Sequence, residues 1–253
     1  MRLFACLALA AGFLAASTGV DLRMGLVQEE MHWRGWVPGG LIEVNNVFGN
    51  VRAEPASGDE IEVIAVKKGT SDPEHVSIEV VEHKGGVTIC AVYPNADPLH
   101  PFDCRPSHGG GFRSVSSSES QARVRWDNGG GGDILLNDLR VDFIVRVPKR
   151  LRFLGRTFDG EISATMLEQD VEAHSVRGNV RVDMSTTHGG EVRAESAKGK
   201  VSSEFPLAMR SNPARGMLAS GRVGHSRRML RLQSAFGDIH VGRFCSNMLL
   251  EVL

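Results

Sequence analysis

A ten-residue pattern, apolar-x-small-x-polar-x-x-Gly-x-Val/Ile, recurs along this chain, and repeated strand-and-turn units bury their apolar faces most readily by stacking on one another. VEAHSVRGNV and VRAESAKGKV place Val171, Ala173, Ser175, Gly178 and Val180 over Val192, Ala194, Ser196, Gly199 and Val201. The same frame fits residues 42–51 (IEVNNVFGNV), 153–162 (FLGRTFDGEI) and 230–239 (LRLQSAFGDI), with Gly49, Gly160 and Gly237 in the turn. A degraded copy, ARGMLASGRV, ends at Val223.

Each element of the frame has a physical reason. Alternation of period two before the glycine makes a strand with one buried face. The glycine suits a tight turn, where positive φ strains any residue with a β-carbon. Val or Ile two residues on restarts a strand. The polar slot holds Asn46, Thr157, Ser175, Ser196 and Ser234, which on stacked coils form a ladder of hydrogen bonds along the repeat axis. The expected fold is therefore all-β, a β-solenoid or β-helix-like stack of short strands. An antiparallel meander or sandwich is the alternative, because Gly-x-Val/Ile also recurs at 178, 190 and 199, close to hairpin spacing. Alignment of whole patterns at offsets of 18 and 21 residues favours the solenoid.

The N-terminus, MRLFACLALAAGFLAASTG, has a basic n-region at Arg2, an apolar run from Leu3 to Ala16, and small residues at Ala15, Ala16 and Ser17. That is the form of a cleaved signal peptide over residues 1–18, and an uncleaved membrane anchor is the alternative. Residues 19–40 read as a lead-in or cap, and 41–253 as the β-repeat domain. Before residue 150, Ile61-Val63-Ala65, Val76-Ile78-Val80, Val87-Ile89-Ala91 and RVDFIVRVP alternate as strands. Between them, residues 93–133 carry Pro, Gly and Ser clusters and are expected to be a long excursion or disordered loop, not a core element.

Export makes the cysteines interpretable. Cys6 leaves with the signal peptide, and Cys90 and Cys104 flank the loop VYPNADPLHPFD. A Cys90–Cys104 bridge is expected, leaving Cys245 unpaired; three buried thiols are the alternative. His100, Asp103, Cys104 and His108 lie close together, but their spacing fits no standard metal-ligand pattern, so no metal or other cofactor is expected. His174, His188, His225 and His240 are expected at exposed strand or turn positions. Asp159, Glu161, Asp170, Glu172, Asp183, Glu191 and Asp238 recur near the turns, and alternation with buried neighbours makes them solvated charges. There is no G-x-S-x-G, P-loop or H-E-x-x-H, and the glycine run 129–132 lacks a strand-turn-helix setting. Trp33, Trp36 and Trp126 are either sugar-stacking platforms or caps on an open apolar end, with Trp33 and Trp36 expected as caps. A formal charge of −1 gives no general basic field for nucleic acid.

The stretches HWRGWVPGGLIEVNNVFGNVRAEPASGDEIEVIAVKKG, VSIEVVEHKGGVTICAVYP and VDFIVRVPKRLRF, with the Gly-x-Val/Ile repeats that follow, resemble a bacterial putative-adhesin family of glycine-punctuated β repeats. The resemblance covers the chain from about Trp33 to its end and implies an exported, mostly β-solenoid-like protein with no established catalytic residues to carry over. This chain departs from it in the Gly/Ser-rich loop near 107–132 and the irregular copy near 214–223. The expected function is that of an exported, non-catalytic adhesion or envelope-associated binding module, in the periplasm or at the cell surface. A cell-surface glycan or envelope protein is the expected partner, and membrane contact is confined to an uncleaved N-terminal segment. The alternatives are a carbohydrate-active enzyme using a strip of acidic side chains, and a self-assembling envelope scaffold.

Overall fold

The computed structural model describes residues 27–94, 104, 112–117, 121–126, 131–187, 189–213 and 216–244. The proposed signal segment, His100, Asp103, His108, His188, Cys245 and the side chain of Trp126 lie outside the described residues. In chain order the first strands are β1 (Val27–Gly35), β2 (Leu41–Asn45), β3 (Val51–Pro55), β4 (Ile61–Gly69), β5 (Ser77–His83) and β6 (Gly86–Val92). Then come β7 (Phe112–Ser117), β8 (Gln121–Trp126), β9 (Gly131–Leu135), β10 (Arg140–Val147), β11 (Arg152–Asp159), β12 (Ile162–Thr165) and β13 (Val171–Arg177). The last are β14 (Val180–Met184), β15 (Gly190–Ser196), β16 (Val201–Ser203), β17 (Ala208–Asn212), β18 (Gly216–Val223), β19 (Met229–Ser234) and β20 (Ile239–Arg243). One 3-10 turn, Pro73–His75, is capped by the Asp72 side chain.

Two mixed sheets face each other across one core. Sheet A runs β1-β4-β10-β3-β12-β14-β20-β16 and sheet B runs β17-β18-β15-β19-β13-β11-β2-β6-β5. Inward residues such as Ile42, Val44, Val51, Phe153, Ile162, Val180 and Ile239 are fully buried in a single apolar cluster. This is a sandwich arrangement, in keeping with the alternative reading of the sequence.

Within it, each repeat is a rung that runs along sheet B, turns at its glycine and continues along sheet A. β2–β3, β11–β12, β13–β14, β19–β20 and β15–β16 are such rungs, and neighbouring rungs pair in parallel in both sheets. A sixth is split: β6 lies parallel to β2 and β10 parallel to β3, with residues 93–139 inserted at the corner.

The expectation of a continuously wound solenoid is corrected here. The best-matched copies, β13–β14 and β15–β16, are not neighbours, because β19–β20 lies between them. The degraded copy explains why. It forms β18, which runs antiparallel to β15 and β17 instead of making a rung, so the chain re-enters on the far side of β15. Antiparallel β4 and β1 extend sheet A, and β5 extends sheet B. At the other end residues 204–207 cross from sheet A to sheet B and plug the core with Phe205 and Leu207.

Three further corrections concern local readings. The excursion 93–133 contains a separate antiparallel sheet, β7-β8-β9; QARVRW alternates with period two, and the surrounding Gly and Ser hid it. Trp33 packs against the core from β1, but Trp36 is 60% exposed and does not cap. Positive φ accounts for Gly49 and Gly178 but not for Gly160, Gly199 or Gly237.

The requirement common to all five glycines is close approach. A β-carbon on Gly49 would strike the Val141 carbonyl, on Gly160 that of Gly49, on Gly178 that of Gly160, on Gly237 that of Gly178, and on Gly199 that of Gly237. The polar slot serves the same carbonyls. Asn46 Nδ2 donates to Val141 O (2.7 Å), Thr157 Oγ1 to Gly49 O (3.0 Å) and Ser175 Oγ to Gly160 O (2.9 Å). Ser234 Oγ donates to Gly178 O (2.9 Å) and Ser196 Oγ to Gly237 O (2.7 Å). The expected ladder exists, with backbone carbonyls as its acceptors.

A second ladder follows the glycines. Asp142, Asn50, Asn179 and Asp238 each accept, through a side-chain oxygen, the backbone N–H of the next rung, at Asn50, Glu161, Asp238 and Lys200. Between Glu161 and Asn179 the link is a side-chain bond, Asn179 Nδ2 to Glu161 Oε1. At the split corner, Tyr93 Oη lies 3.1 Å from Phe48 O and 3.2 Å from Leu139 O, tying the insertion's two ends to the first intact rung.

Gly237→Ala, at a site without positive φ, is expected to destabilise by about 1–3 kcal/mol through overpacking. Gly58→Ala, where a β-carbon meets open space, should leave the melting temperature nearly unchanged. Equal melting of the two variants would show that the carbonyl contact is not limiting. Tyr93 is the sole tyrosine, and burial pushes its phenol above the ordinary range. A raised folded-state value means stability that is complete below the unfolded phenol pKa of about 10 and is lost as pH rises beyond it. Absorbance at 295 nm should show phenolate appearing only as the protein unfolds; smooth titration near pH 10 in folded protein would contradict this.

Candidate functional site

Residues that alternate with the core residues form straight rows across the outer faces, one side chain per rung. On sheet B, register sets Thr88, Glu43, Leu154, Glu172, Arg231 and Arg193 in one row. The adjacent row is Cys90, Asn45, Arg156, His174, Gln233 and Glu195. Sequence alternation predicts solvated positions throughout both rows. Instead Glu43 and Arg156 are fully buried, with Arg156 Nη1 2.7 Å from Glu43 Oε1. Asn45 Nδ2 donates to the same oxygen (3.1 Å), and Thr88 Oγ1 approaches Glu43 Oε2 at 3.4 Å. His83 Nε2 lies 3.2 Å from the Thr88 hydroxyl.

Burial lessens toward β15. His174 is 3% exposed, so its expected exposed position is corrected; His225 is exposed and His240 half-buried. His174 Nδ1 meets Gln233 Oε1 at 2.9 Å, while Nε2 stands 3.6 Å from Glu172 Oε2. The His174 imidazole, with the Arg231 charge behind it, holds Glu172 below the usual carboxylate range. Arg193 and Glu191 on β15 are exposed. The column Asn45, Arg156, His174, Glu195, Gln233 is polar in every copy, a signal available in the aligned repeats; the cover over its first members was not.

Cys90 and Cys104 are joined in a disulfide with Cα atoms 5.7 Å apart. It sits at the buried end of this strip, Cys90 Sγ lying 4.0 Å from Asn45 Nδ2. The two cysteines are 14 positions apart in sequence, so the bond secures the start of the inserted segment to sheet B.

On sheet A, Arg34, Glu62, Arg146, Glu54 and Arg52 form a zigzag of ion pairs across β1, β4, β10 and β3. The hydrogen bond from Arg146, with the Arg34 charge beside it, holds Glu62 below its usual range. A half-open hollow of about 370 Å³ lies here, lined by His32, Trp33, Arg34, Glu62 and Arg146 among others. Farther along, His240 Nδ1 meets Ser202 Oγ at 3.0 Å, and Glu204 Oε1 lies 3.8 Å from Nε2. Ser202 and Glu204 are exposed.

The turn carboxylates do not gather into a pair; each serves a different strand or corner. Asp159 pairs with Arg140, Asp170 accepts the Met229 N–H, Asp183 accepts Arg181 Nε, and Glu191 faces Arg222. Glu161 and Asp238 belong to the corner ladder. Among the described residues no three His, Cys, Asp or Glu side chains come together as a metal set, and no helix is long and apolar enough to cross a membrane.

No family model matches the chain, and no curated protein does. Among solved structures it is similar to the crystal structure of a putative cell adhesion protein from Clostridium sporogenes. Identity is 12%, the TM-score is 0.48, and the match covers 86% of this chain and all of that one.

Removing one partner of a buried ion pair strands the other charge, at a cost of about 3–5 kcal/mol. Glu43→Leu and Arg156→Leu should each destabilise on that scale, and the double variant should recover a large part of the loss. Additive losses in a denaturant-melt double-mutant cycle would show that the two side chains act independently.

Proposed function

We propose that this is an exported, non-catalytic β-repeat protein that works as an adhesion or envelope-associated binding module. Residues 1–18 act as its signal peptide. The observation that carries the reading is the regularity of the outer surface. Side chains stand in rows at one-rung intervals, roughly 4.8 Å apart, on strands locked by two hydrogen-bonded ladders. Such a surface is preorganised, so a ligand lying along several rungs orders few side chains on binding. In this use the parallel rungs present themselves as a solenoid's face does, although the chain does not wind through them in order.

A polysaccharide-cleaving reading needs two carboxylates on either side of one bond, and Asp159, Glu161 and Glu191 each have their own partner elsewhere. A self-assembling scaffold needs open edges. Here β16 is three residues long, Phe205 and Leu207 plug the adjoining end, and edge strand β1 carries Glu29, Glu30, His32 and Arg34.

The test is location followed by binding. A protease that cannot enter intact producing cells should remove a surface-held protein, whereas protection would place it in the periplasm. Purified protein should then bind glycans or envelope proteins without turning them over. Retention in the cytoplasm with an intact N-terminus would overturn the reading, as would hydrolysis of a polysaccharide.

A further inference from the structure

The residue immediately before each turn glycine projects from the corner, and the rungs set these residues in a column. In spatial order the column is Phe48, Asp159, Arg177, Phe236 and Lys198. The fold uses its first two members. Phe48 packs edge-on against Tyr93 and Phe158, with ring centres 5.3 and 5.9 Å away, and Asp159 pairs with Arg140. The next three are exposed. Phe236 is 62% exposed, among the most exposed large apolar side chains described. Arg177 stacks its guanidinium over the Phe158 ring at 5.4 Å. No carboxylate among the described residues lies within ion-pair distance of Arg177 or Lys198.

The backbone beneath them is fixed. Phe236 N–H donates to Val176 O (2.9 Å), Ala235 N–H to Ser175 O (3.1 Å) and Ala197 N–H to Ser234 O (3.0 Å). The carbonyl ladder pins Gly178 and Gly237, and Gly199 N–H donates to Ser196 Oγ (2.8 Å). The corner therefore displays, on three consecutive rungs, a cation, an aromatic ring and a cation, with the cations two rungs or roughly 10 Å apart.

Resting on the binding-module reading, we propose that this ridge is a binding site for an acidic polysaccharide. A sugar ring presents an apolar face of C–H groups that stacks on an aromatic ring, which covers Phe236. Carboxylate or sulfate groups on the flanking sugars meet Arg177 on one side and Lys198 on the other. Arg177 supplies forked donors suited to a planar carboxylate, and Lys198 a mobile point charge. Asp238, in the neighbouring column, has Oδ1 engaged by the Lys200 N–H, and Lys200 adds a third cation on that side. The rigid base of the ridge keeps the ordering cost of binding low.

The full chain, as secreted by its producing cells, is titrated by calorimetry with polygalacturonate, size-defined heparin, neutral dextran and poly-glutamate. The acidic glycans should bind and dextran should not. Phe236→Ala should weaken binding about tenfold at every salt concentration. Arg177→Gln and Lys198→Gln should each weaken it severalfold and flatten the salt dependence by about one counterion. All three side chains lie on the surface, so unchanged melting temperatures confirm folded variants, and Lys84→Gln, at the exposed turn between β5 and β6, should bind like the wild type. Binding insensitive to all three ridge substitutions would overturn the site. So would binding of poly-glutamate alone, which would mark an acidic protein as the partner. If other envelope ligands still bind in either case, the ridge assignment fails while the binding-module reading stands; if nothing binds, both fall.

Discussion

The corner carbonyls are the constraint on which the rest of this structure depends. Neighbouring strands in a sheet lie about 4.8 Å apart, and here two sheets must keep that spacing while the chain turns between them. At the turn, each rung's glycine carbonyl occupies the volume that a β-carbon of the next rung would fill. It also accepts that rung's Ser or Thr hydroxyl. Glycine and hydroxyl are thus two halves of one contact: the first makes room, and the second satisfies a carbonyl that has left the sheet ladders. Because the contact runs in one direction, rungs joined by it must be parallel in both sheets. The first rung follows the rule in its own way. Val141, in the glycine position, supplies the carbonyl to Asn46, and no further corner rung presses on it from the other side.

Parallel rungs leave open edges, and the antiparallel strands close or shorten them. β17–β18, β5 and β1–β4 extend the sheets beyond the rung stack, and charged or very short strands form the outermost edges. The inserted segment brings a different cost. Beside its disulfide anchorage at Cys90, sheet B buries the Glu43–Arg156 pair on what is elsewhere a solvated face. Such a pair adds little net stability but is strongly disfavoured when half of it is missing.

The same regularity shapes what the surface can do. Charged groups stand in rows, and most carboxylates are held by a named neighbour in a ladder, an ion pair or a backbone contact. Chemistry that needs groups converging on one point is poorly served by such rows, whereas recognition of an extended ligand is well served. The corner column is where the rows leave exposed side chains outside the ion-pair network, at Arg177, Phe236 and Lys198.

Much of this was legible in the residues. Period-two alternation marked β4, β6 and β10, the repeat frame marked the five intact rungs, and the polar slot foretold a hydrogen-bonded ladder. These are local properties, determined by which side of a strand each residue faces and by the size of the residue at the turn. The order of the rungs was not legible, because every copy offers the same glycine and a short side-chain donor, and the pattern does not rank one neighbour above another. Only the tertiary structure decided that β19–β20 lies between β13–β14 and β15–β16, through the antiparallel return of β18. It alone also buried Glu43, Arg156 and His174. Alternation assigns a residue to a face, but whether that face is buried is not encoded in the local pattern.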